Sequence, residues 1–265
     1  MDKKISLKEK ILILMRSFFI QGAWNYLRFQ NIGYLFTILH YLKKIHSSEE
    51  DLKKAALRHF DIFNTQPYMA NIVIGNILRM EEETASNKDE IIKIRHSLAC
   101  AYASIGDRLF WSRLRIITLE FTAFILIIFI NTSNLSNVLK ITAMAVFFPS
   151  ILYAAFSIYI RWKGFDWGYQ CGGKESCGLN FLDWNNMIGL ASIAGFGLAA
   201  FLIVFMILMT LYSLIGQNFW NYILNTLPII FAFFAQRYFK TRKKSIEYSI
   251  IAVIAFSFLT NLLRL

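Results

Sequence analysis

The feature that most limits how this chain can fold is a series of long, nearly uncharged apolar stretches that fill its C-terminal half. A helix needs about 20 mostly apolar residues to cross roughly 30 Å of hydrocarbon, because each residue adds about 1.5 Å and every backbone polar group must be paired internally. Five stretches meet that requirement: Leu114 to Asn131, Ile141 to Ile160, Met187 to Ile215, Asn218 to Ala235 and Ser245 to Leu263. Of the 265 residues, 56% are of hydrophobic type and 17% are charged. A soluble globule usually carries about 25% charged residues. The pattern therefore predicts an all-α, polytopic membrane protein with about five transmembrane helices.

The net charge of +11 would suit a nucleic-acid binder, since clustered Lys and Arg displace counterions from phosphate. Placement argues against that reading, and no nucleic acid is expected as a partner. The basic residues flank the apolar stretches: Arg108, Arg113 and Arg115, then Arg161 and Lys163, then Arg237, Lys240, Arg242, Lys243 and Lys244. Short cytoplasmic connections are enriched in Lys and Arg. The connections Asn131 to Val138 and Gly216 to Trp220 carry no charge. One orientation satisfies all of these loops: a multi-pass protein of the inner (cytoplasmic) membrane, N-terminus cytoplasmic and C-terminus external. The apolar run Ile11 to Met15 is too short for a signal-peptide core, so no cleaved leader is expected.

Residues 1–113 read differently from 114–265. Their apolar runs are short and interrupted: Ile11 to Ile20 by Arg16, Gly33 to Leu42 preceded by Arg28, and Ala70 to Leu78 containing Asn71 and Asn76. Such pieces suit re-entrant hairpins or interfacial amphipathic helices, because broken backbone at membrane depth is tolerated only beside protein or an aqueous cavity. Between them, Ser47 to Phe63 has a charged helical period, with Ser47 or Ser48 placed to cap it ahead of Glu49, Glu50 and Asp51. Residues 1–113 are thus expected to hold the polar motifs, and 114–265 a helical bundle.

Three polar clusters can carry chemistry. The first is Gln21-Gly22-Ala23-Trp24-Asn25-Tyr26, followed by Arg28, Gln30 and Asn31. Amides pair with adjacent sugar hydroxyls and aromatic faces cover C–H patches, although Trp and Tyr also collect at membrane interfaces. The second is Asn64-Thr65-Gln66-Pro67-Tyr68, where Asn64 or Thr65 suits a helix cap and Pro67 a first turn. Capping leaves Gln66 unexplained, so it is a candidate ligand contact. The third is Ser104-Ile105-Gly106-Asp107, where Asp107 suits either a hydroxylated ligand or an ion pair with Arg108 or Arg113.

Other charged groups receive plainer readings. Glu120 falls inside the first long stretch, with Lys140 or an arginine of a neighbouring subunit as its partner. The run Glu81-Glu82-Glu83 reads as a solvated face. Cys100, Cys171 and Cys177 lack CxxC spacing and read as free thiols. His40, His46, His59 and His96 form no HxxH or HExxH pair, so no metal site is expected. There is no Gly-rich phosphate loop and no Ser, His and Asp set, so the chain is not expected to be catalytic alone, nor to need a cofactor.

In order along the chain stand Phe18-Phe19-Ile20-Gln21-Gly22-Ala23-Trp24-Asn25-Tyr26, then Arg58-His59-Phe60 with Phe63-Asn64-Thr65-Gln66-Pro67, then Ile105-Gly106-Asp107 with Phe110-Trp111 and Arg115. That ordered set resembles the IID component of the mannose, fructose and sorbose family of phosphotransferase permeases. The likeness spans Ile11 to Arg115 and continues more weakly through Arg161, Gly164 and Gly168-Tyr169. The resemblance implies a subunit without a phosphorylation site of its own, in a homo- and hetero-oligomer with a IIC membrane subunit. It further implies that a hexose-type sugar is bound between the two and passed to a cytoplasmic IIB phosphohistidine domain, itself supplied by IIA. On this likeness Gln21, Trp24, Asn25, Asn64, Gln66, Gly106 and Asp107 fall on the family's motif blocks and become the candidate sugar contacts. Leu27 stands where the family commonly has an acidic residue, and Arg79, Arg108 and Arg113 add charge beside the motifs. Those departures leave room for a structural or regulatory subunit without transport.

Overall fold

The computed structural model describes residues 5–83, 88–130, 135–173, 177 and 182–216, with helical fragments between 227 and 235 and at 251–257. These residues are helical, and apart from isolated bridges at Asn25, Phe29 and Phe63 they contain no β structure. Met1–Ala199 forms one compact unit and Ala200–Leu265 another.

Helix α1 (Leu7–Ser17) opens with a capping box in which Ser6 and Glu9 satisfy each other's backbone N–H groups. One face is docked: Lys10 pairs with Asp166 at 2.6 Å, and Ile13 and Ser17 are buried. The other face carries Leu7, Ile11, Met15, Phe18 and Phe19, all exposed and spaced as an amphipathic stripe. Helix α2 (Asn31–Ile45) follows a tight loop, and α3 (Glu49–His59) is capped by Ser48, whose hydroxyl accepts from the Asp51 N–H. Three acidic residues in the first turn of α3 and Arg58 and His59 in the last match the helix dipole.

Helix α4 (Ala70–Glu83) is the centre of the unit, with every residue from Ala70 to Leu78 buried. Helix α5 (Lys88–Gly106) runs without a break into a π-helical segment, Asp107–Leu114, whose widened turn bonds the Arg115 N–H to the Phe110 carbonyl. Helix α6 (Arg115–Ile130), α7 (Leu135–Cys171) and α8 (Trp184–Gly216) complete the described order.

Among the described residues, two helices have the length and apolarity to cross a membrane, within Thr142–Cys171 and Trp184–Tyr212. At 30 and 29 residues each is about 45 Å long, enough to span with tilt. The first expected span falls on the last residue of the π-helical segment and on α6, which continue one another. The expected spans Asn218 to Ala235 and Ser245 to Leu263 fall largely outside the described residues.

Helices α4 and α7 meet at unusually close range, and glycine is the reason. A Cβ on Gly168 would stand 1.9 Å from the Ile72 carbonyl oxygen, and one on Gly75 would stand 2.4 Å from that of Phe165. Small residues that let backbones approach are the usual device where lipid offers no hydrophobic drive for association. On the other side of α7, Pro149 has no N–H for the Ala145 carbonyl one turn earlier. Thr122 of α6 faces the vacancy, its single hydroxyl hydrogen shared between that oxygen at 3.1 Å and the Thr118 carbonyl of its own helix at 2.9 Å.

The acidic run after α4 corrects the sequence reading. Glu81 is buried: Arg58 grips it through Nε and Nη2 at 2.7–3.1 Å, and His59 Nε2 lies 2.8 Å away. Glu82 accepts from the hydroxyls of Tyr41 and, at 2.5 Å, Tyr169, leaving Glu83 paired with Arg79 on the outer side. The helical period turns Glu81 inward, where Arg58 and His59 of α3 meet it. Only Glu83 of the three is solvated.

Candidate functional site

The three polar clusters converge on the N-terminal end of α4. Two strands of loop hold the first cluster to the second. The Gln30 N–H donates to the Phe63 carbonyl at 2.8 Å, and the buried Gln30 amide clamps Thr65 in both directions, Nε2 to the carbonyl at 2.9 Å and the Thr65 N–H to Oε1 at 3.1 Å. Phe29, at a φ of 55°, turns the chain into this pairing. The second cluster meets the third at Gly106, where a Cβ would stand 2.4 Å from the Gln66 Cβ. Only glycine admits Gln66 there.

Gln66 is buried and performs the capping expected of Asn64 or Thr65. Its Oε1 accepts from the N–H groups of Tyr68 at 2.7 Å and Met69 at 3.2 Å. Its Nε2 is also shut off from solvent and has no partner in the chain. Asp107 is half-buried at the start of the π-helical segment and forms no ion pair among the described residues. The expected pairing with Arg108 or Arg113 is absent: Arg108 is exposed and Arg113 donates to Ser192 Oγ at 3.0 Å. Burial pushes the Asp107 carboxyl up from its ordinary value.

The remaining expected contacts sit further out. Gln21 is exposed in the turn after α1, and Trp24 is 44% exposed, edge-on to Tyr26 at 4.9 Å. Asn25 shapes its own loop: Nδ2 donates to Asn31 Oδ1 at 2.9 Å and Oδ1 accepts from the Arg28 N–H at 2.8 Å. Asn64 is exposed beside the buried pair Thr65 and Gln66.

Several residues that sequence reasoning passed over share this region. Arg161 of α7 is buried, donates to Ser17 at 3.0 and 3.2 Å, and lies over the rings of Phe18 and Tyr68 at 4.9 and 5.2 Å. It had been read only as a flanking charge. Thr65 Oγ1, Asn71 Oδ1, both side-chain polar atoms of Asn76, and Arg161 Nε are buried without hydrogen-bond partners in the chain. Buried polar groups are nearly always paired, so this seam of amide, hydroxyl and guanidinium along α4 is poised for groups the chain does not itself provide. Asparagines inside the apolar run Ala70 to Leu78 were the available signal. The two described cavities lie elsewhere: one of about 320 Å³ is apolar and lined by residues of α6 and α7 including Thr118, Pro149 and Tyr153, and one of about 270 Å³ lies between α6 and α8.

Behind the seam, His59 is fully buried between Tyr34 and Glu81. Burial lowers its pKa, outweighing the pull of Glu81. A neutral ring fits both neighbours, with Nε2–H donating to Glu81 and Nδ1 accepting from the Tyr34 hydroxyl at 3.3 Å. For Glu81 burial acts to raise the pKa, but His59 and Arg58 prevail and hold it at about 2.

Comparison with known proteins places the chain among transport components. The family model for the mannose/fructose/sorbose family IID component of the PTS system matches residues 4–265. The mannose-specific EIID component of Escherichia coli K12 is 30% identical over 119 residues, 43% of this chain and 42% of that protein. The fructose permease IID component of Bacillus subtilis 168 is 31% identical over 118 residues, 43% of each chain. The sorbose-specific EIID component of Klebsiella pneumoniae is 26% identical over 175 residues, 64% of this chain and 60% of that one. The matched stretch thus covers less than two thirds of each of these relatives. The cryo-EM structure of the mannose transporter ManYZ with microcin E492 includes a chain similar at a TM-score of 0.54 and 26% identity, covering 76% of this chain and 71% of that one. A second structure, of a membrane protein, gives a TM-score of 0.64 at 25% identity with the same coverage.

Proposed function

Because the chain belongs to the IID component family of the mannose, fructose and sorbose phosphotransferase systems, we propose that with a IIC subunit it binds a hexose-type sugar and carries it across the inner membrane. The sugar is then phosphorylated by a cytoplasmic IIB domain charged by IIA. The chain performs no catalysis itself and works in a homo- and hetero-oligomer. Residues 1–113 supply the sugar-facing motifs and 114–265 the spanning bundle of about five helices, N-terminus cytoplasmic and C-terminus external.

The observation that carries this reading is the meeting of the second and third motif blocks at Gln66 and Gly106, with the Gln66 amide nitrogen unpartnered among the described residues. A sugar presents hydroxyls that both donate and accept, which is what a free amide N–H and a half-buried carboxyl require. Asn64, Gln66, Gly106 and Asp107 form the inner contacts. Gln21, Trp24 and Asn25 form the outer rim, with the Trp24 face available to a sugar's C–H patch.

The departures from the family pattern do not argue for loss of transport. Leu27 is 87% exposed, Arg108 is exposed, Arg79 pairs with Glu83 and Arg113 is bound to Ser192. The test is sugar uptake by cells carrying Asn64→Ala or Asp107→Asn in the assembled complex. At least a tenfold loss is expected with the amount of complex unchanged. Normal uptake by both variants removes these residues from the site.

A further inference from the structure

Glu120 is the only ionisable side chain between Ile116 and Ile130, and its surroundings within the chain do not account for it. The carboxylate turns toward α8: Oε2 lies 4.0 Å from where a Cβ on Gly195 would stand, so the glycine leaves it room. That oxygen is shut off from solvent and accepts no hydrogen bond from any protein group. Lys140, one of the two partners the sequence allowed, is exposed on α7, the helix that α6 meets through Thr122. Arg113 lies two helical turns nearer the cytoplasmic end, and its Nε is committed to Ser192 Oγ, which itself donates to the Ile188 carbonyl. Among the described residues, Glu120 has no ion-pair partner.

Beside it lies a cavity of about 270 Å³, lined by Arg113, Ile116, Glu120, Ser192, Gly195 and Phe196 among others. An ionised carboxylate in such a low-dielectric setting is costly unless a countercharge meets it. A neutral polyol offers hydrogen bonds but no countercharge. A small cation entering from the cytoplasmic side would have to pass Arg113. A side chain delivered laterally by a neighbouring helix would not.

We propose that Glu120 and this crevice form the seat for an arginine or lysine side chain of a second membrane subunit, as an intramembrane ion pair that holds the two subunits together. The cavity has room for a guanidinium and the methylenes behind it, and the Ser112 and Ser192 hydroxyls line its wall. This inference rests on the subunit partnership proposed above, but not on any sugar contact.

The experiment is co-purification of an encoded IIC subunit with the tagged chain, as wild type, Glu120→Gln and Gly195→Leu. The glutamine variant keeps shape and removes charge, while the leucine fills the crevice and keeps the carboxylate. Both are expected to lower recovery of the IIC subunit at least tenfold. Equal recovery from wild type and Glu120→Gln overturns the proposal, whereas failure of the wild type to bring down any IIC subunit overturns the underlying partnership instead. Glu120→Asp keeps the test decisive if loss of recovery reflects misfolding. The aspartate keeps the charge and is expected to retain recovery within a few-fold of the wild type, and a loss as large as that of Glu120→Gln overturns the proposal.

Discussion

Gln66 and Gly106 act as a pair. The amide oxygen of Gln66 caps α4 while its nitrogen stays free, and that geometry depends on Gly106 having no Cβ. Gly106→Ala should therefore push Gln66 off its cap and cost about 1–3 kcal/mol, seen as a lower thermal midpoint of the purified chain in detergent. A midpoint unchanged from wild type would show that the contact yields without loss. Glu81 supports a prediction about acid. Its pKa falls from an ordinary 4.5 to about 2 in the folded chain, so the stabilisation is complete above pH 4.5 and fades as pH drops toward 2. The linkage amounts to roughly 3 kcal/mol. His59, held neutral by burial, acts in the same direction, since acid favours its charged form in the unfolded chain. Unfolding measured against pH should show this loss in the wild type and a shallower dependence in Glu81→Gln, which starts less stable. Equal slopes would contradict the ion-pair assignment.

Among the helices, two contacts to α7 show how backbone needs are met at membrane depth. Thr122 offers Ala145 the hydrogen that Pro149 denies it, shared with the Thr118 carbonyl. Thr122→Val keeps the shape and removes the donor, and should cost about 1–3 kcal/mol, the usual penalty for a buried unsatisfied carbonyl. Thermal unfolding in micelles reads it, and a neutral result would mean that the carbonyl finds another donor. Gly168 meets α4 so closely that any side chain must part the helices, and Gly168→Leu should be the more damaging of the two. The helical periods were legible in the sequence, including α3 with its Ser48 cap. The glycines were visible only as spacing, because a close approach is a property of two helices and a sequence shows one at a time. Glu81 misled for the same reason: three consecutive carboxylates read as solvated until α3 is seen to place Arg58 and His59 against the first.

At the scale of the whole molecule, the order of the motif blocks gave away the family, and the model match over residues 4–265 bears that out. The membrane character was equally plain in the composition, and two of the described helices have the dimensions to span. The inner arrangement of the candidate site was not. Nothing in the sequence separates Gln66, buried beneath Gly106, from Asn64 two residues earlier and exposed. Nor does it show that Arg161, about a hundred residues away, lies over Tyr68. The first pairing follows from Gly106 at the end of α5, and the second from how α7 crosses α4 through glycines that let the two backbones touch.

The central claim is that sugar reaches the polar ends of these motifs inside an assembled permease. A single cysteine at the exposed Ala23, between Gln21 and Trp24 of the outer rim, with Cys100, Cys171 and Cys177 replaced by serine, allows it to be measured in membranes that also contain the IIC subunit. The rate of modification by a membrane-impermeant maleimide should fall several-fold when a transported hexose is added and stay unchanged with a non-transported one. A fast rate indifferent to every sugar tried would contradict the account.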